Sequence, residues 1–113
     1  MEPGGALTQL RRGVLPHCVL ALLEDDERYG LDLVRDLSTQ GLVAGEGTVY
    51  PLLSRLRSEG LVSTTWRESE QGPPRRYYRL TSDGRLALAW FRDAWRAFRD
   101  SADAILTPAK EPR

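Results

Sequence analysis

Cysteine, histidine and lysine are almost missing from this chain: Cys18, His17 and Lys110 are single occurrences among 113 residues. A lone cysteine excludes an internal disulfide and gives no reason to invoke an oxidising compartment, so the cytoplasm is the expected location. One His beside one Cys cannot complete a metal site, so no metal is expected, and the pair reads as a helix residue next to a buried thiol. A Gly-rich phosphate loop is lacking, as is any set of carboxylates that would gather in a pocket. Nothing therefore assembles a nucleophile, a base and an oxyanion site, which argues against an enzyme and against a cofactor. Long apolar runs are lacking too. The best candidate, "GVLPHCVLALL" after Arg11 and Arg12, contains Pro16 and His17, ends in "EDDE" without a small-residue cleavage site, and is too short to span a membrane. It reads as a core helix, and no membrane partner is expected.

Net charge is also lacking, since 16 basic residues balance 16 acidic ones. The balance is not local. Residues 1–46 carry 4 Arg against 8 acids, residues 47–79 carry 6 Arg against 3 acids, and the remainder carries 6 basic against 5 acidic residues. Fifteen of the sixteen basic residues are Arg, whose planar fork suits phosphate and base edges. With 12.7 kDa and 41% apolar residues, the chain can fill one core but not two.

What is present is a sequence of periodic segments between ends rich in Pro, Gly and charge, "MEPGGA" and "TPAKEPR", which read as frayed. Residues 14–23 place Val14, Leu15, Cys18, Val19, Leu22 and Leu23 at helical spacing, with Pro16 expected near the helix start or at a kink. After the acidic "EDDER", expected to be a solvated turn, "YGLDLVRDLSTQG" sets Leu33, Val34 and Leu37 on one face and stops at Gly41, a left-handed cap. In "EGTVYPLLSRLRSEGL" a stripe of Val49, Leu52, Leu53 and Leu56 precedes Gly60. Pro51 fits a helix that begins near Thr48, or one that begins near Gly45 with a bond missing. "LVSTTWRES" and "RRYYRL", parted by the turn cluster "EQGPP", read as a hairpin. Thr81 can cap a long last helix. Three helices followed by a two-stranded ribbon is the order of a winged helix-turn-helix, so the expected class is mainly α with a small β-hairpin.

With the Leu stripe of the third helix inward, the 100° step puts Gly47, Pro51, Ser54 and Ser58 opposite it, flanked by Tyr50, Arg55 and Arg57, with Thr48 near the start. Small residues permit close approach to a major groove, and Arg, Tyr and Ser reach phosphates and base edges. An ordinary solvated face would carry more Glu and Lys. The hairpin adds Arg75 and Arg76 directly after "GPP", with Arg67 and Arg79 behind them, a basic rim suited to phosphates or a narrow minor groove. Trp66, Tyr77 and Tyr78 would hold the ribbon in register.

"GTVYPLLSRLRSEGLV" followed by "GPPRRYYRLTSDGR" closely resembles the PadR family of bacterial transcriptional regulators, and the likeness runs from about Leu7 to about Leu106. The resemblance implies a winged helix-turn-helix that binds double-stranded DNA, forms a homodimer through its first and last helices and usually represses. It is similar to the short subtype with a single C-terminal helix. The implied domains are a DNA-binding unit over 1–80, a dimerisation helix over 81–107 and a disordered tail over 108–113. By position, the resemblance puts Thr48, Tyr50, Pro51, Ser54 and Arg55 on the recognition helix, Tyr29 at the start of the helix-turn-helix, and Arg75, Arg76 and Tyr78 on the wing. Pro16 and His17 interrupt a helix that such chains usually continue, and Leu31 follows "YG" where an aromatic is common.

Along the last helix, Leu88, Phe91, Trp95, Phe98, Ala102 and Ile105 alternate spacings of three and four, a heptad seam expected to pair two copies. Leu86, Trp90, Ala94 and Ala97 widen it. A two-fold dimer would present two recognition helices to grooves roughly 34 Å apart, matching a near-palindromic site. Similar short PadR-type proteins bind flat aromatic drugs between two tryptophans, which makes Trp95 and Phe91 candidates for a small aromatic effector, although an aromatic on a helical seam is usually packing. The competing reading is a protein-interaction module that dimerises without touching DNA; the Arg pair at 75 and 76 beside the "GTVYPLL" face speaks against it.

Overall fold

The computed structural model describes residues 5–109; residues 1–4 of the expected frayed start and 110–113 of the expected tail lie outside them, whereas Gly5 and Ala6, expected to be frayed, begin the first helix. Helix α1 (Ala6–Leu22) is longer than its apolar stretch suggests. Its inner half buries Leu15, Val19 and Leu20, while its outer half is exposed. Pro16 therefore sits in the helix interior and not at its start. It removes the donor that would meet the Arg12 carbonyl, a defect worth ~3 kcal/mol in an isolated helix. Burial of Leu15, Val19 and Leu20 on either side of it offsets that cost.

Strand β1 (Arg28–Tyr29) is two residues long and leads directly into α2 (Gly30–Thr39), which buries Leu33, Val34 and Leu37. Helix α3 (Glu46–Ser58) buries Val49, Leu52, Leu53 and Leu56, the stripe read from the spacing. It starts from Gly45, so Pro51 lies inside it and one backbone bond is forgone. Both helices end alike. Gly41 at φ 75° lets its own N–H reach the Ser38 carbonyl and the Leu42 N–H reach Leu37, both at 2.9 Å. Gly60 at φ 78° repeats the arrangement with Arg57 and Leu56, both bonds at 3.0 Å. A side chain at either position would pay for the left-handed backbone, and half-buried Leu42 and Leu61 close the motif against the core.

The ribbon consists of β2 (Val62–Ser69) and β3 (Gly72–Leu80), and β1 adds to the free side of β3, giving the order β1-β3-β2. All pairings are antiparallel, with Arg28 opposite Tyr78 and Tyr29 opposite Tyr77. "GPP" belongs to strand β3, not to the turn, which is confined to Glu70 and Gln71. Two consecutive prolines survive in a strand here because the register shifts between Arg67 and Ser69 and because β1 pairs only with Tyr77 and Tyr78, so few ladder donors are required of them.

Helix α4 (Ser82–Leu106) is capped by Thr81, whose hydroxyl accepts from the Gly84 N–H at 3.0 Å and donates to the Gly60 carbonyl at 2.7 Å. One side chain thus joins the end of α3 to the start of α4. Gly84 allows the approach: a Cβ there would lie 2.1 Å from the Leu61 carbonyl oxygen and 2.6 Å from a Leu80 methyl. Farther along, Arg92 donates two bonds to the Glu24 carboxylate, 2.8 and 2.9 Å, and Arg85 donates to the Glu24 carbonyl at 3.0 Å. The acidic turn is therefore not merely solvated, since Glu27 also pairs with Arg67. His17 stacks on Phe91 at 3.8 Å and 3°, continuing the α1–α4 contact. Leu88 is 3% exposed and packs in the monomer core, so the seam of α4 loses its expected first member as an interface residue. The molecule extends 65 × 34 × 21 Å with a radius of gyration of 17.2 Å, against roughly 13 Å for a compact chain of this length. The excess comes from helix and ribbon ends that reach beyond the core.

Candidate nucleic-acid interface

Because Val49, Leu52, Leu53 and Leu56 are buried, the opposite side of α3 is turned out: Gly47, Thr48, Pro51, Ser54, Arg55 and Ser58 are all exposed. Among the described residues the ion-pair partner of Arg55 is Glu59, one helical turn on, at 3.8 Å with both side chains more than half exposed. Such a pair is worth a few tenths of a kcal/mol (~0.3–0.5) and yields readily to a phosphate or a guanine edge. Tyr50 is different. It is half-buried, its ring lies 3.0 Å from where a Cβ of Gly30 would stand, and Tyr78 lies 3.3 Å from the same point. Burial raises the Tyr50 phenol above its ordinary value, with Glu46 adding to the shift. The residue is thus partly a spacer that fixes α3 against α2 and the ribbon, and Gly30 is what lets the three elements close.

The ribbon alternates faces with period two. Arg75 and Tyr77 share one face with Arg67, their cross-strand neighbour, and the Arg75 guanidinium lies 4.8 Å over the Tyr29 ring. Arg67 lies 5.2 Å over Tyr77, whose ring is 5.8 Å from that of Tyr29. The other face carries Arg76, 5.2 Å over the ring of Trp66 directly across the ladder, and then Tyr78. The two wing arginines therefore point to opposite sides of the ribbon and do not form a single rim. Tyr78 does not contribute to a wing surface, since it is 5% exposed and packs with Leu80 and Val62 in the core. Parity explains the correction: Tyr78 and Leu80 share the inward face, whereas Tyr77 faces outward. Tyr29 is half-buried, serving as the N-cap residue of α2 and as a platform under Arg75.

Sequence reasoning gave Trp66 a part in register alone. It is 63% exposed, and its position beside Arg76 makes it part of the wing surface. The signal that could have located it is its position four residues before the polar turn, beyond the span that any core can cover. Glu27, whose side chain is 13% exposed, was also missed; through Arg67 it ties the ribbon to the loop before β1. Among the described residues no group of three His, Cys, Asp or Glu is placed to hold a metal ion, and no helix is long and apolar enough to cross a membrane.

A family model, the transcriptional regulator PadR-like family, matches residues 19–90, which span α1 from Val19, the whole winged unit and the first turns of α4. The chain belongs to the PadR family of transcriptional regulators. It is 34% identical over 100 residues to a transcriptional regulator of Mycobacterium tuberculosis, covering 88% of this chain and 90% of that protein. The crystal structure of a PadR-like transcriptional regulator from Bacillus cereus superposes with a TM-score of 0.80 at 32% identity, covering 89% of this chain and 99% of the other. That of a PadR family regulator from Eggerthella lenta gives 0.79 at 34%, covering 91% and 90%. The protein is thus a DNA-binding regulator of transcription with a winged helix-turn-helix, and the reading as an interaction module that bypasses DNA falls away.

On this PadR regulator His17 covers part of Phe91, and the face of α4 beyond it is left largely exposed by the described residues of the monomer. Trp95 is 37% exposed, Phe98 60% and Ile105 85%, while Phe91 and Ala102 are half-buried. Phe91, Trp95 and Phe98 run as a stack with successive ring centroids 6.3 Å apart. Leu7 and Leu10 on the outer half of α1 are exposed as well.

Proposed function

We propose that this regulator is a repressor that acts as a homodimer on a near-palindromic operator. The observation that carries the DNA-binding geometry is the division of α3 into a buried Leu stripe and an exposed face of Thr48, Pro51, Ser54 and Arg55. In this reading Ser54 and Arg55 reach base edges in the major groove, Thr48 and Pro51 set the depth of approach, and Tyr50 and Tyr29 hold the helix and wing in position. Arg75 and Arg76, on opposite faces of the ribbon, contact phosphates on either side of it, and Trp66 flanks Arg76. The dimer forms through Phe91, Trp95, Phe98, Ala102 and Ile105 of α4 with Leu7 and Leu10 of α1, so residues 81–107 act as the dimerisation unit and 1–80 as the DNA-binding unit. Support comes from the area of aromatic surface that a monomer leaves in water. A small aromatic effector held between Phe91 and Trp95 of the two subunits would relieve repression.

The test is to recover bound fragments from the source genome and measure mobility shifts on them. Ser54→Ala and Arg55→Ala should change which sequence is preferred, with losses of about 1–3 kcal/mol confined to particular base pairs. Uniform weakening on every duplex would assign these two residues to phosphates and overturn base reading by α3.

A further inference from the structure

The acidic stretch "EDDE" between α1 and β1 reaches the ribbon through its last residue. Glu27 and Tyr29 stand two residues apart in the segment that enters β1, so both face the side of the sheet that carries Tyr77, Arg75 and Arg67. Glu27 pairs there with Arg67. Arg67 is directly opposite Arg75 across the ladder, two rungs nearer the ribbon's tip than the Thr65–Tyr77 pair, yet its guanidinium lies 5.2 Å over the Tyr77 ring. Glu27 precedes Arg28, which pairs with Tyr78, and so stands on the base side of Tyr77. The Arg67 side chain is therefore drawn back across Tyr77, away from the tip and toward the carboxylate. Of Arg67, Arg75 and Arg76, Arg67 alone has an ion-pair partner among the described residues; the other two lie over the rings of Tyr29 and Trp66.

Like charges directly across a ladder repel, and Glu27 supplies the counter-charge that lets Arg67 and Arg75 share one rung. The pair is anchored at its acidic end: the Glu27 side chain is 13% exposed, that of Arg67 58%. Surrendering Arg67 to a phosphate would leave a largely buried carboxylate without its cation, which costs far more than breaking an exposed pair. Arg75, held by the face of the Tyr29 ring, can turn to a phosphate at modest cost. We propose that Glu27 withholds Arg67 from DNA and thereby limits the affinity of the wing for duplex of any sequence. Glu27 is a positioning residue in this role, acting through Arg67 and touching no nucleic acid. The restraint has a use: phosphate contacts supply essentially all of non-specific binding, and a genome competes with the operator at every position. The inference rests on the reading of the ribbon as a DNA-contacting wing.

The experiment titrates the full chain, by fluorescence anisotropy over a range of salt, with two labelled duplexes of equal length, one recovered by genomic selection and one scrambled. Glu27→Gln should bind both duplexes roughly tenfold more tightly near 0.1 M salt, with the slope of log affinity against log salt steeper by about 0.9, as one added phosphate contact requires. Preference for the recovered duplex should be unchanged. Adding Arg67→Gln should restore the wild-type slope. Asp25→Asn, which removes the same charge from an exposed position on the same loop, should leave the slope unaltered. An unchanged slope for Glu27→Gln would overturn the proposal, and so would a double variant whose slope falls about 0.9 below wild type, since Arg67 would then already hold a phosphate. An equal gain from Asp25→Asn would assign the effect to net charge and sink it as well. Circular dichroism melts check that the variants fold; if Glu27→Gln does not, the wild type decides by NMR. On saturation with duplex the Arg67 side-chain Nε–H resonance should stay in place while that of Arg75 shifts, and an Arg67 shift as large as that of Arg75 would show the arginine released to DNA. Failure of the wild type to bind either duplex would refute the proposed function, and this inference with it.

Discussion

Gly84 and His17 show how little of a residue's role lies in the residue itself. By helix propensity, Gly84→Ala in the first turn of α4 should stabilise the protein by up to ~1 kcal/mol. The structure reverses the sign, since the new methyl would meet the Leu61 carbonyl oxygen at 2.1 Å, and a backbone atom fixed by the α3 cap cannot retreat. Overpacking of this kind costs about 3 kcal/mol, which for a chain this size lowers Tm by roughly 10–20 °C. A thermal melt unchanged to within a degree or two would refute the contact. His17 allows a second prediction. Burial against Phe91 pulls its imidazole below the ordinary value of 6.5. The unfolded chain then binds the extra proton first, so its contribution to stability is present above about pH 6.5 and is lost as pH falls toward the folded-state value. Melts at fixed protein concentration should show Tm falling from pH 7.5 to 5.5, and His17→Gln should remove that part of the slope.

At the scale of elements, the helices were legible because each carries a redundant signal. The Leu stripe, Gly60 and the flanking polar residues all agree on α3, and Leu33, Val34, Leu37 and Gly41 agree on α2. What was hidden depended on neighbours in space. Strand β1 has only two residues, too few for any period, and exists because β3 offers it an edge. Pro16 belongs inside α1 because tertiary burial outweighs local propensity. In "RRYYRL" alternation places the two tyrosines on opposite faces but does not say which face is inside. Only the shared parity with Leu80 and the packing on Gly30 select Tyr78. The same parity divides the wing arginines, and this leads to a measurable difference. If each neutralises one phosphate on its own side, Arg75→Ala and Arg76→Ala should each reduce the slope of log affinity against log salt by about 0.9, and the pair by about twice that. A double variant no worse than either single one would mean that the two share one phosphate, contrary to the ribbon's alternation.

For the whole molecule, the decisive quantity is the apolar surface left on α4. Leu88 was read as part of the seam because heptad spacing continues through it, yet it lies in the monomer core and His17 covers part of Phe91, so the exposed seam starts at Trp95. From there on, the proposed two-fold copy would supply the partners that the monomer lacks, presenting the same Phe–Trp–Phe stack in reverse. Phe98→Glu tests this without disturbing the monomer core, because Phe98 is 60% exposed and touches Trp95 at the rim of the stack. Two carboxylates brought to one apolar seam would each need desolvation, so the dimer should weaken by several kcal/mol (about 3–5) and sedimentation at micromolar concentration should give monomers. The fold of residues 19–90 should persist, with far-UV circular dichroism unchanged except for fraying of the last turns of α4. Operator affinity should fall toward that of a single half-site. On the wild type, inserting five base pairs between half-sites, about half a helical turn, should have a similar effect, because rotation of one half-site by roughly 180° takes one recognition helix off its groove. If the insertion left affinity unchanged while Phe98→Glu lowered it, the two half-sites would not be read by one rigid dimer.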